Sequence, residues 1–269
     1  MTERTRITEA LVGEWAAIRD LVADLDDAQW HAATCLPGWD VFDQVAHVVS
    51  TEMMLAGEAT PELPPDTPVD HVRNDIGRVN EAFIAHLRRL DPADLLARYD
   101  EVTAGRAEAL RAMDDAAFDA PSWTPAGQAT YGRFMQIRTF DCWMHEQDVR
   151  AALDRPGHTS GDAADVALDE VALAVAYLVG KKAGAPDGSA VTIELTGPIV
   201  RSFHVIVAGR AGVVDELPRP ADATISLPSP LFMRLVGGRV DPSSVLDQVR
   251  IQGDAALGEQ IATHLAYTI

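Results

Sequence analysis

Apolar residues recur every three or four positions over roughly the first 155 residues, and every second position in parts of the remainder. Ile7, Leu11, Trp15, Ile18, Val22 and Leu25 form one face of an amphipathic helix. The stretch DLDDAQWHAATCLPGW breaks the pattern, with Pro37 and Gly38 as the clearest stop. A second helix is predicted from Asp40, a good N-cap, with Asp43 in its first turn and Phe42, Val45, Val48 and Val49 on its buried side. Residues 58–70, EATPELPPDTPVD, hold four prolines and predict a loop. Further helices are predicted over about 69–90, from Asp91-Pro92 to about 115, and over about 130–153, the last stopped by Arg155-Pro156-Gly157. APSWTPAGQATYG reads as loop.

Beyond the polar stretch HTSGDA the period changes. Residues 163–181 remain helical and strongly apolar, whereas VTIELTG, SFHVIVAG and ATISLP alternate and are bounded by Gly and Pro, as strands are. Short helices at about 229–237 and 242–247, a strand at Val249–Gln252 and a helix from Asp254 to about 266 complete the pattern. The expectation is an α+β protein with a helix bundle over 1–157 and a smaller α+β domain over 158–269.

Composition narrows the function. The 269 residues carry 22 Lys+Arg against 41 Asp+Glu, a net charge of -19. So acidic a chain is a poor partner for nucleic acid or an anionic membrane. The longest apolar run, Val171 to Val179, is too short to cross a bilayer, and MTERTRITEA lacks the apolar core of a signal peptide. Two cysteines, Cys35 and Cys142, cannot build a disulfide framework, and a cytoplasmic location is expected. Lys181 and Lys182 are the sole lysines beside 42 alanines, a bias towards GC-rich codons.

Candidate chemistry lies in the helical part. Asp141 and His145 are four apart in TYGRFMQIRTFDCWMHEQDVRAAL, on one helix face with Phe134 and Ile137. His47 sits among Val45, Val48 and Val49. A buried carboxylate or imidazole without a partner costs several kcal/mol, so both need a reason to face inward. Two histidines and a carboxylate suit a divalent metal with an open position, zinc best, with nickel and iron also compatible. Asp148, one turn beyond His145, is placed to orient an imidazole. The plainer reading stands beside this one: an i,i+4 Asp/His pair also arises by chance, and His47 also reads as a satisfied core histidine. Cys35 and Cys142 read as small, mostly buried residues rather than thiol nucleophiles, and His31, His71, His86, His158, His204 and His264 as surface or structural.

CLPGWDVFDQVAHVVSTE, residues 35 to 52, resembles the entry loop and second helix of the mycothiol-dependent maleylpyruvate isomerase family, one of the DinB-like metal-binding four-helix bundles. RTFDCWMHEQDVRAALDRPG, residues 138 to 157, resembles that family's second motif. ADATISLP, LVGGR and VRIQGDAALGEQI resemble its small sterol-carrier-like C-terminal domain, so the likeness covers nearly the whole chain. The resemblance implies His47, Asp141 and His145 as metal ligands, with Asp141 standing where the family's isomerase has the longer Glu. It also implies mycothiol as cosubstrate, a small electrophile as substrate, and Arg239 of the GGR motif as a substrate-binding arginine. The implied activity is S-transfer or cis–trans isomerisation by a monomer or homodimer. The GC-rich codon bias agrees with an actinobacterial source. A different class, a lipid- or ligand-binding regulatory protein with a structural metal, is compatible with the same C-terminal likeness.

Overall fold

The computed structural model describes residues 1–268, in two compact units, Met1–Gly157 and His158–Ile269. The first contains α1 (Glu3–Leu21), α2 (Asp27–Trp30), α3 (Val41–Leu55), α4 (Asp75–Leu87), α5 (Pro92–Ala112), α6 (Asp115–Phe118), a hairpin of β1 (Pro121–Thr124) and β2 (Gly127–Thr130), and α7 (Tyr131–Ala152). The long helices α1, α3, α5 and α7 make the bundle: α1 packs on α5 and α7, and α3 on α5, α7 and α4. Their starts are written in the sequence. Thr2, Asp26, Asp40, Asn74, Asp91, Asp114 and Thr130 each accept a backbone N–H from the third residue of the helix that follows. At Asp40 the box is reciprocal, since Asp43 accepts the Asp40 N–H in return.

Three expectations need correction. The third helix starts at Asp75 rather than near 69, because Asn74 supplies its cap. The segment 121–130, expected as loop, pairs as a hairpin. Its turn is set by Thr124, whose hydroxyl donates to the Gly127 carbonyl and accepts from Ala126 N–H, and by Gly127 at φ +99°. The bundle also starts two extra single-turn helices, at Asp27 and Asp115, inside stretches that carry no helical period.

The bundle buries a carboxyl pair. Glu14 of α1 and Glu146 of α7 are both fully buried and lie near each other, with Arg150 paired to Glu146 at 2.7 Å. Burial and the Glu146 charge push the Glu14 carboxyl well above its ordinary value, which favours the protonated form in the fold. A folded-state pKa above the unfolded one contributes stability below about pH 4.3 that is lost as pH rises through the folded value. Glu14→Gln is therefore expected to flatten the loss of stability between pH 5 and pH 8. Urea denaturation of both proteins at the two pH values checks this; an unchanged slope contradicts it.

The second unit contains α8 (Asp162–Ala172), α9 (Val175–Tyr177), a π turn (Leu178–Lys182), β3 (Ala190–Thr196), β4 (Arg201–Ala208), β5 (Arg210–Val214), β6 (Ala223–Pro228), α10 (Ser229–Val236), β7 (Arg250–Gly253) and α11 (Ala255–Ala262). The sheet order is β5-β4-β3-β6-β7, with β3 and β6 parallel and the other pairs antiparallel. Central β3 is buried on both faces at its start, with Val191, Ile193 and Leu195 on one face and Thr192 and Glu194 on the other, whereas β4 alternates, burying Phe203, Val205 and Val207. α10 packs on β3 and β6, and α11 on β6 and β7. The α+β class read from the sequence is the class observed.

Here too the sequence reading is corrected in places. The single helix expected over 163–181 breaks after Ala172 and ends in the π turn. Gly180 lies against β5, where a Cβ would come within 2.4 Å of the Ala211 Cβ, so only glycine allows this approach. β5 (RAGVV) carried too weak an alternation to be read as a strand, and the helix expected at 242–247 is two short 3₁₀ turns.

Candidate metal centre

His47 lies in the middle of α3, and α3 packs on α7, which carries Asp141 and His145 one turn apart. The packing brings the three together. His47 Nε2 is 3.2 Å from Asp141 Oδ2, and His145 Nε2 is 3.4 Å from Asp141 Oδ1. One donor atom from each lies within 4.8 Å of the others, and the two imidazole centroids are 4.6 Å apart. Both histidine side chains are only 7% exposed, whereas Asp141 is 31% exposed and forms the accessible side of the set.

The electrostatics of His47 and Asp141 suit metal binding. Burial holds His47 below the ordinary imidazole range, with the Asp141 charge only partly offsetting it, so a neutral ring with a lone pair is favoured. Burial opposes ionisation of Asp141, but His47, Arg138 and His145 outweigh it and hold the carboxyl well below the usual range. The set thus offers two imidazoles and one carboxylate. Ligands about 2.0–2.1 Å from a tetrahedral zinc stand about 3.4 Å apart, close to the separations observed. The residues present fit a divalent cation.

Comparison with known proteins now decides the family. Residues 11–150 match the mycothiol maleylpyruvate isomerase N-terminal domain, and residues 165–260 match the C-terminal domain of the same family. The chain belongs to the mycothiol maleylpyruvate isomerase family. Two solved structures share its fold. One is a crystal structure of the mycothiol-dependent maleylpyruvate isomerase, 19% identical, with a TM-score of 0.58 over 94% of this chain and 93% of that one. The other is a histidine-to-alanine mutant of such an isomerase, 20% identical, with a TM-score of 0.57 over 94% and 93%. Among curated protein sequences, none matches.

In this member of the maleylpyruvate isomerase family, further residues surround the site; Trp39 lies in the entry-loop motif, whereas Glu52, Arg106 and Gln44 had no sequence signal of their own. Arg138, one turn before Asp141, is buried and donates to the Asp141 carboxylate, to Glu52 Oε1 at 3.0 Å and to Cys142 Sγ at 3.3 Å. Glu52 in turn accepts from Arg106 at 3.0 Å, and Arg106 donates to the Tyr131 hydroxyl at 2.8 Å. Trp39 covers the site from the loop before α3: its ring centroid is 5.3 Å from that of His47 and 5.9 Å from that of His145. Its indole N–H donates to the buried Glu81 at 2.7 Å, which His71 also contacts at 2.9 Å. Gln44, one turn before His47, contacts His145 Nδ1 through its amide oxygen.

Asp148 is buried beside His145 with Oδ2 3.8 Å from Nδ1, beyond hydrogen-bond reach. Cys35 is exposed rather than buried, because it sits on the entry loop rather than in the bundle, and its thiol donates to Asp148 Oδ1 at 3.2 Å. Cys142 is buried. Burial pushes its thiol far up despite the adjacent Arg138, so it is no nucleophile at neutral pH. Phe134 is buried as expected of its stripe, but Ile137 is only half-buried. His31 is more than a lone surface residue: it contacts Asp40 at 2.8 Å, which raises its pKa. Arg239 belongs to the C-terminal unit, where its guanidinium donates to the Gly237 carbonyl at 2.8 Å.

Proposed function

We propose that this chain is a metal-dependent enzyme that uses a low-molecular-weight thiol, mycothiol, to act on small electrophiles by cis–trans isomerisation or S-transfer. The observation that carries this is the convergence of His47, Asp141 and His145 from two helices on one point, in a chain of the maleylpyruvate isomerase family. A bound divalent cation, zinc in the first instance, would lower the pKa of the cosubstrate thiol so that thiolate exists at neutral pH.

The chain's own residues do the rest. His47 and His145 offer lone pairs, and Asp141 supplies the single negative charge of the set. Three protein donors leave a position for the thiol, as in catalytic rather than closed structural sites. Trp39 shields the imidazoles from water on one side. The thiolate adds to an electrophilic carbon of the substrate. In isomerisation, the resulting carbanion allows rotation about the former double bond, and expulsion of the thiolate regenerates it. In S-transfer, the new C–S bond stays and the carbanion takes a proton or expels a leaving group. Arg239 is the candidate for binding an anionic substrate group by a bidentate contact.

The test is turnover by the full chain supplied with zinc, with and without mycothiol. Its substrates are maleylpyruvate and a panel of electrophiles that includes a bimane. The expected result is turnover only with the thiol. Absence of thiol dependence across the panel defeats the enzymatic reading and favours the carrier or regulatory class.

A further inference from the structure

We propose that Gln44 is a positioning residue that fixes the His145 ring with Nδ1 protonated, so that the bare Nε2 faces Asp141 and His47. This deepens the reading of the metal centre and rests on it for its function, though not for its test.

The Thr34 hydroxyl has one proton, and it goes to the Trp39 carbonyl at 2.8 Å. Its oxygen then only accepts, from Leu36 N–H at 3.3 Å and from Gln44 Nε2 at 2.8 Å. This fixes the Gln44 amide. A flipped amide would set its oxygen against an oxygen with no proton left to give. Held this way, Gln44 presents Oε1 to His145 Nδ1, which must therefore be the N–H of the ring. In the neutral imidazole the other nitrogen is then a bare acceptor, and Nε2 is the atom that lies 3.4 Å from Asp141 Oδ1. Two acceptors at that distance leave room for a cation between them and gain nothing without one.

The chain of contacts starts in the backbone of the entry loop, where Thr34 N–H also donates to the Trp39 carbonyl at 3.2 Å and Ala33 bridges to Asp40. The same short loop therefore orients His145 through Thr34 and Gln44 and covers it with the Trp39 ring. Asp148 is the competing acceptor, but its Oδ2 is 3.8 Å away and its Oδ1 takes the Cys35 thiol.

The experiment reads the tautomer directly. The full chain, ¹⁵N-labelled at histidine and dialysed against a chelator, is compared with Gln44→Leu, Gln44→Glu and Thr34→Val by long-range ¹H–¹⁵N correlation. Zinc affinity is measured in parallel. Wild type is expected to show His145 protonated at Nδ1. Gln44→Leu should lose that preference and bind zinc about 10–100-fold more weakly, the usual cost of losing such a partner. Gln44→Glu keeps an acceptor and should keep the tautomer, and Thr34→Val should fall between the two. If wild type carries the proton on Nε2, or Gln44→Leu leaves the tautomer unchanged, the assignment to Gln44 is wrong. If Gln44→Leu does not fold, an unchanged tautomer in Thr34→Val overturns the proposed relay. The tautomer is read without metal, so a wild type that binds no zinc defeats the functional reading and leaves this one standing or falling by itself.

Discussion

Replacing Glu52 by alanine is expected to destabilise the helical unit by about 3–5 kcal/mol, among the largest losses available to a single substitution here. Glu52 is fully buried in α3 and is the shared counter-ion of two arginines. Its Oε1 accepts from Arg138 Nε at 3.1 Å and Nη2 at 3.0 Å, and its Oε2 from Arg106 Nε at 3.0 Å. Both guanidiniums are themselves buried. An arginine in the interior cannot shed its charge, so removing the carboxylate leaves two desolvated cations rather than two neutral groups. Arg138 would keep Asp141 as its partner, and Arg106 the Tyr131 hydroxyl and the Met135 sulfur, neither of which carries a charge. Glu3, paired with Arg6 at 2.9 Å on the surface, provides the control; its alanine variant should change stability by less than about 1 kcal/mol. Urea denaturation followed by circular dichroism measures both. Equal effects would mean that the buried network does not hold α3, α5 and α7 together.

The second large effect is on metal affinity. His145→Ala removes one of three donors, and its zinc affinity is expected to fall by more than about 100-fold, beyond the 10–100-fold that loss of an outer partner costs. The variant should still fold, because alanine suits the interior of α7. Binding should also weaken in acid as the imidazoles take up protons. Burial holds the His47 pKa down, so His47 should keep its lone pair to lower pH than a free imidazole, whose pKa is about 6.5. Competition titrations between pH 5 and pH 8 give both quantities. An affinity in His145→Ala within threefold of wild type would show that His145 is not a ligand.

The sequence carried the bundle well because its signals are local. Asp40, Asp91 and Thr130 each combine a cap with an apolar period, and every such helix appears where the pattern puts it, to within a few residues. Edges of the pattern failed where tertiary contact decides. RAGVV becomes a strand because β4 pairs with it, and PSWTPAGQAT a hairpin because Thr124 closes its turn. The spacing of Asp141 and His145 and the place of His47 among valines were visible in the sequence, and the family likeness pointed to the same three residues. Glu52 and Gln44 were not legible, because a glutamate or a glutamine on a helix usually faces water. What turns each of them inward is the approach of α3 and α7, which no residue spacing encodes. The acidic excess likewise says nothing of Glu14 and Glu146, whose inward placement is evident only from the contact between α1 and α7.

The central claim is that His47, Asp141 and His145 hold a divalent cation. Elemental analysis of the purified full chain, loaded with zinc and passed through gel filtration, tests it most directly when run beside His47→Ala. The account predicts about one zinc per wild-type chain, as a three-donor site requires, and almost none in the variant. No retained zinc in wild type, or the same amount in His47→Ala, would contradict it.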